Sequence, residues 1–126
     1  MQTEMIESCR IRKCSWEGPF AMSSSYTSIS GAYQIPGGAS QSPPYCMVLN
    51  PGANASAYNV TMYAPIPATV MWCHEIVNVG TGLGGLQMKG ASAGNPNLAV
   101  IPAGKRGELI WNIYASPPEW QCLLSA

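Results

Sequence analysis

From Tyr45 onward, apolar and polar residues come in short runs cut by Gly and Pro, and the period within the runs is two. Tyr58, Val60 and Met62 fall on one side of an extended chain and Asn59, Thr61 and Tyr63 on the other, as expected of a β-strand. The same alternation sets Leu109, Trp111 and Ile113 against Glu108, Ile110 and Asn112. Further runs are predicted over 45–50, 69–79, 83–89, 98–101 and 120–124, the first three closed by Pro51-Gly52, Gly80-Thr81-Gly82 and Gly90 and the last preceded by a turn at Pro117-Pro118. The run at 69–79 is rich in β-branched residues (Thr69, Val70, Ile76, Val77, Val79), which favours a strand over a helix. Seven or so strands at roughly ten-residue spacing predict an all-β fold, a single small antiparallel sandwich or barrel of jelly-roll type.

Before residue 45 the pattern changes. Residues 1–14 show a poor helical period. Residues 15–44 are punctuated by Gly18-Pro19, Ser23-Ser24-Ser25, Gly31, Pro36-Gly37-Gly38 and Pro43-Pro44. Large apolar groups (Trp16, Phe20, Tyr26, Ile29, Tyr33, Ile35) are nonetheless spread through this stretch, where a plain linker would have few. The expected organisation is an extended N-terminal arm over 1–44, carrying anchors for a neighbouring surface, and a β body over 45–126.

Charge sharpens this picture. No Lys, Arg, Asp or Glu lies between Gly18 and His74, Asp is absent from the chain, and charged residues make up 10% of its 126 residues. A typical soluble domain has about 25%. A lone monomer of 13.4 kDa would expose about 6,500 Å², and so sparse a charge would leave it prone to association. Coverage by further copies or by a partner is the expected resolution. The formal net charge is zero and the basic cluster Arg10, Arg12, Lys13 is offset by Glu4, Glu7 and Glu17, so nothing points to nucleic acid. No apolar run is long enough for a helical span, which sets membranes aside. The N-terminal MQTEMIESCRIRKC lacks the apolar stretch of a secretory signal, so assembly in a cytoplasm is expected. In that compartment the five cysteines (Cys9, Cys14, Cys46, Cys73, Cys122) are expected to be reduced.

Candidate chemistry is thin. The sole histidine, His74, stands between Cys73 and Glu75, but neighbours on a strand face opposite ways, so Cys73 and His74 cannot form a nucleophile–base pair. A structural or interface role is expected for His74. Cys9 and Cys14 have no second pair to complete a zinc site. Gly80-Thr81-Gly82-Leu83-Gly84-Gly85 leads into a strand rather than a helix, which predicts a hairpin turn and not a phosphate cradle. Glu108 and Glu119 would approach each other if their strands form a hairpin, but a glycosidase pair also needs a cleft. Trp72, Trp111, Trp120 and Tyr114 could form a sugar-stacking platform, although core or subunit contact is the commoner use of such residues. The expectation is therefore no catalytic residue, metal or cofactor, with Trp16, Phe20, Tyr26, Tyr33, Trp72, Trp111 and Trp120 serving interfaces.

Three segments, HEIVNVGTG at 74–82, AVIPAGKRGELIW at 99–111 and SPPEWQCLLSA at 116–126, resemble pieces of small β domains in tailed-bacteriophage virion proteins. The resemblance implies a head decoration (cement) protein, often trimeric, that binds the major capsid protein and neighbouring copies. Related modules occur at the tips of tail fibres and spikes. It assigns no binding residue. A tail or spike adaptor, or a carbohydrate-binding module for a host surface, are the alternative expectations.

Overall fold

The computed structural model describes residues 24–38 and 43–124. Trp16 and Phe20 lie outside them, as do Cys9 and Cys14. Among the described residues there are nine strands and no helix: β1 (Ser24–Ser28), β2 (Tyr33–Gln34), β3 (Cys46–Asn50), β4 (Tyr58–Thr61), β5 (Cys73–Asn78), β6 (Leu86–Lys89), β7 (Asn97–Ile101), β8 (Arg106–Asn112) and β9 (Glu119–Leu124).

Successive strands up to β6 alternate between two sheets. One sheet has the order β1-β3-β5-β8-β9 and the other β2-β4-β6-β7. Each connection crosses to the opposite layer, so the next strand in the same sheet returns in the same direction. β1, β3 and β5 are therefore parallel, as are β2, β4 and β6, giving three stacked two-strand coils. Only the last three strands turn back: β7 runs antiparallel to β6, β8 to β5 and β9 to β8. The all-β expectation holds, and two facing sheets give a sandwich-like body. The expected antiparallel, jelly-roll pairing does not hold, and the sheets do not close into a barrel. Alternation marks which face a residue takes, but it is silent on the direction of the neighbouring strand.

The turns between layers stack on one another. Asn50 and Asn78 each end a strand and accept from the N–H two residues on, at Gly52 and Gly80, both at 2.9 Å. The 80–85 loop lies on the 52–56 loop: the N–H groups of Thr81 and Gly82 donate to the Gly52 carbonyl, and that of Gly84 donates to Asn54. A Cβ at Gly82 would collide with the backbone of Asn54, so this close approach requires glycine. The glycine-rich loop is thus a corner that carries the chain from one sheet to the other, not the expected hairpin turn.

Met47, Leu49, Val60, Met62, Ile76, Leu86, Met88, Ile101, Leu109, Trp111 and Trp120 fill the space between the sheets. Ile35, from the stretch expected to be arm, is 1% exposed within the same core. Residues 24–34 supply β1 and β2, so strand pairing begins well before residue 45. Their dense Gly, Pro and Ser mark the turns of a first, short coil.

Candidate functional site

Strand β5 carries three buried polar or charged residues, His74, Glu75 and Asn78. Inward point His74, Ile76 and Asn78, and outward Cys73, Glu75 and Val77, as strand alternation dictates.

On the inner face, His74 Nδ1 lies 2.9 Å from the Pro44 carbonyl and Nε2 lies 2.7 Å from the Tyr63 hydroxyl. A carbonyl can only accept, so Nδ1 holds the proton and Nε2 accepts from Tyr63. Burial lowers the His74 pKa, against the opposing effect of backbone hydrogen bonds at Pro44 and Tyr45. Burial also pushes Tyr63 up to about 12, keeping it a donor. Trp120 packs edge-on against Tyr63 and donates its indole N–H to the Tyr63 carbonyl at 2.8 Å. Trp111 stacks edge-on against Trp120 and donates to Ala68. Both ring nitrogens of His74 are therefore engaged within the core, which is how a neutral imidazole is buried.

On the outer face, Glu75 stands directly opposite Cys46 on one side and Glu108 on the other. Arg106 Nη1 reaches Glu75 Oε2 at 3.3 Å. The Cys46 thiol lies 3.8 Å from Glu75 Oε1. Tyr45 is pushed up to about 12 by burial and then by the carboxylates of Glu75 and Glu108 and by Cys46, with Arg106 acting the other way. Cys73 and Ile110, opposite each other, form a small second cluster with Tyr45, Met71 and Leu123. Cys73 is disulfide-bonded, which corrects the expectation of five reduced thiols. Cys46 and Cys122 form no disulfide, and burial raises the Cys122 thiol to about 12, far from a reactive thiolate.

The expected approach of Glu108 to Glu119 does not occur. Their strands do form a hairpin, but Glu108 sits opposite Leu123 and Glu119 opposite Asn112, four residues away along β8. Glu119 instead ties the two sheets together. It accepts from the N–H groups of Ala91 (2.7 Å) and Ser92 (2.8 Å) and from the Ser92 hydroxyl. Burial would raise its pKa, yet these bonds and that from the Trp120 N–H outweigh it and hold the pKa below the usual carboxylate value. The carboxylates that do meet are Glu75 and Glu108, on strands β5 and β8, which are far apart in the chain. No sequence period could have signalled that pair.

No family model, curated protein or solved structure matches this chain. Its site residues are therefore judged by their surroundings alone. Among the seven assigned to interfaces, Trp120 is 1% exposed, Trp111 is buried with its N–H satisfied, and Tyr33 and Trp72 are half-buried against the core. Tyr26 is exposed on β1, where its hydroxyl accepts from Asn50 Nδ2 at 2.7 Å. Of the four aromatics weighed as a sugar platform, Tyr114 alone is exposed. Unsignalled by the pattern, Leu83 projects fully from its corner loop, and Ile66 and Val70 are exposed in the loop whose Ala68 carbonyl holds Trp111. Among the described residues no group of three or more His, Cys, Asp or Glu could hold a metal ion. No helix there is long and apolar enough to cross a membrane.

Proposed function

We propose that this chain is a structural assembly protein, and specifically a capsid decoration protein that stabilises a shell by binding it and neighbouring copies. The observation that carries the reading is the exposure of large apolar side chains on a body with very little charge. Leu83, Tyr26, Ile66, Val70 and Tyr114 all stand out from the surface, and the first three and Val70 are set in, or next to, the stretches poorest in Lys, Arg and Glu. Scattered apolar residues are ordinary on soluble proteins, but here there is little charge to keep copies apart. His74 with Tyr63 and Glu119 with Ser92 are held within the body by hydrogen bonds, which suits a mechanical part. Many modest contacts repeated over a lattice would give such a part its strength. The capsid setting rests on the virion resemblance of the three segments quoted above.

The test is the solution mass of the purified protein at micromolar concentration, by light scattering behind a sizing column, followed by co-sedimentation with undecorated shells. A closed oligomer that binds shells is expected, and Leu83→Glu together with Ile66→Glu should weaken one or the other while leaving the fold intact. A monomer that ignores shells would overturn the proposal. A truncation probing the N-terminal contribution should stop before Ser24, because β1, β2 and Ile35 belong to the body.

A further inference from the structure

We propose that the side of the sandwich bounded by β1 and β2 receives an extended, uncharged strand from a partner protein, with an aliphatic side chain of that strand seated between the two sheets. The inference goes beyond the assembly reading and holds whether or not the partner is a shell.

The two sides of the sandwich are finished differently. On the far side β7 and β9 pack against each other. There β7 runs between Pro96 and Pro102, its pairing with β6 shifts register at Met88/Lys89, and β9 opens on Glu119. Proline, irregular pairing and charge are the usual means of closing a sheet edge to further strands. On the near side β1 and β2 are the end strands of their sheets among the described residues, and they do not pack on each other as β7 and β9 do. β1 reads Ser-Ser-Tyr-Thr-Ser and pairs with β3 in unbroken register, so it carries no charge, proline or bulge. The Ile29 N–H donates to the Asn50 carbonyl at 3.0 Å, and alternation then turns the N–H and C=O groups of Tyr26 and Ser28 to the open side.

Behind this edge lies a cavity of about 190 Å³, walled by Ile35, Pro44, Met47 and Leu49 and, on β1, by Ser25 and Thr27. Its cause is in the sequence. Ser25 stands opposite Met47 and Thr27 opposite Leu49, so the inward positions of β1 hold short side chains where those of β3 hold long ones. Packed interiors leave few voids larger than a water molecule, and this one has room for a side chain of leucine or methionine size. An open backbone edge and an apolar pocket beside it are the two parts of recognition by strand addition: main-chain bonds hold the guest and the pocket selects its side chains. A second copy's β1 would bring only another Ser25 and Thr27, which leave the cavity unfilled. The fitting guest is therefore a different segment with aliphatic residues at alternate positions. Residues 24–38 and 43–50 carry no Lys, Arg, Asp or Glu, so nothing at this edge calls for a charged one.

The probe is a synthetic peptide of residues 45–51 carrying Cys46→Ser, whose Met47 and Leu49 have the alternation of the strand that β1 already accepts. Its binding to the full chain, labelled with nitrogen-15, is followed by amide shifts and hydrogen exchange. Saturable shifts centred on residues 24–28, with exchange at Tyr26 and Ser28 slowed several-fold, are expected. A control peptide with Met47→Glu and Leu49→Glu should bind about ten-fold more weakly or worse, because a carboxylate cannot enter the cavity unpaired. Tyr26→Pro in the protein removes an outward N–H without touching the ladder to β3 and should lose the peptide. Thr27→Leu fills the cavity and should erase the preference between the two peptides, which keeps the test alive if the proline variant fails to fold. No shifts at millimolar peptide, shifts centred elsewhere, or equal binding of both peptides would overturn the proposal. So would Tyr26 and Ser28 amides already protected in the isolated protein, or a dimer lost on Tyr26→Pro that leaves the peptide unbound, since the edge would then belong to the chain itself or to a second copy.

Discussion

The inner and outer faces of β5 bury polar groups by opposite means. Inside, His74 is kept neutral, and its two nitrogens and those of Trp111 and Trp120 are matched one to one with hydrogen-bond partners. Outside, Glu75 and Glu108 lie side by side with Arg106 as counter-charge. The inner arrangement is short-ranged and depends on geometry. The outer one is ionic, so it responds to salt and to the removal of a single charge. One strand of six residues thus separates a rigid core from a face whose stability can be tuned.

The largest effect should come from breaking the inner network at its centre. Trp120→Ala removes the largest fully buried side chain and leaves the Tyr63 carbonyl without its indole donor. A loss of about 3–5 kcal/mol in denaturant unfolding is expected, and a loss under 1 kcal/mol would show that the core can collapse around the gap. On the outer face the two ends of one ion pair should behave unequally. Arg106 is half exposed, whereas the Glu75 side chain is 8% exposed. Arg106→Gln removes the guanidinium from a buried carboxylate opposite Glu108 and should cost about 1–2 kcal/mol, less than a fully buried pair because solvent screens the guanidinium. Glu75→Gln removes the like-charge contact with Glu108 and should cost less than Arg106→Gln. Equal losses would break the proposed asymmetry.

The pH response should single out the inner face. His74 has its pKa lowered by burial, so the unfolded chain takes up a proton near 6.5 that the folded protein refuses. The stability contributed by the neutral ring is fully present above 6.5 and falls as pH drops below it, by up to about 1.4 kcal/mol per pH unit. Denaturant midpoints compared at pH 7.5 and 5.5 check this, and a His74→Gln variant should flatten the difference. The smallest effect is expected at the rim. Tyr26→Phe deletes an exposed hydroxyl that accepts from Asn50 and should change stability by less than about 0.5 kcal/mol.

Much of the strand content is legible in the pattern of residues. The predicted run at 98–101 is β7 with one residue added, and the face that alternation gives Leu109 and Trp111 together is the one that β8 packs into the main core. Val60 and Met62 likewise point into the core from the side on which alternation places them. β1 and β2 were hidden because a five-residue and a two-residue strand are too short to establish a period between Gly and Pro turns. Pairing direction was hidden for a different reason: a side chain's face depends only on its own strand, while its neighbour depends on where the whole connection leads. The Glu75–Glu108 contact belongs to this second class. His74 was readable as structural from its position next to Cys73, but its partners Tyr63 and Pro44 come from other elements.

The stacked-coil order also bears on how fast the molecule can form. Ser24 pairs with Cys46 and Cys46 with Glu75, 22 and 29 residues apart, so neither of these parallel pairings can be nucleated by a tight turn. Each requires closure of a long loop before its hydrogen bonds return anything. The β8–β9 hairpin, by contrast, joins residues close in the chain and can form early. Refolding on the millisecond-to-second scale, slow for a chain of this size, is the natural consequence. Until the coils stack, their sticky, nearly uncharged strands stay open to other copies, so the route to the native body and the route to aggregation compete for the same edges.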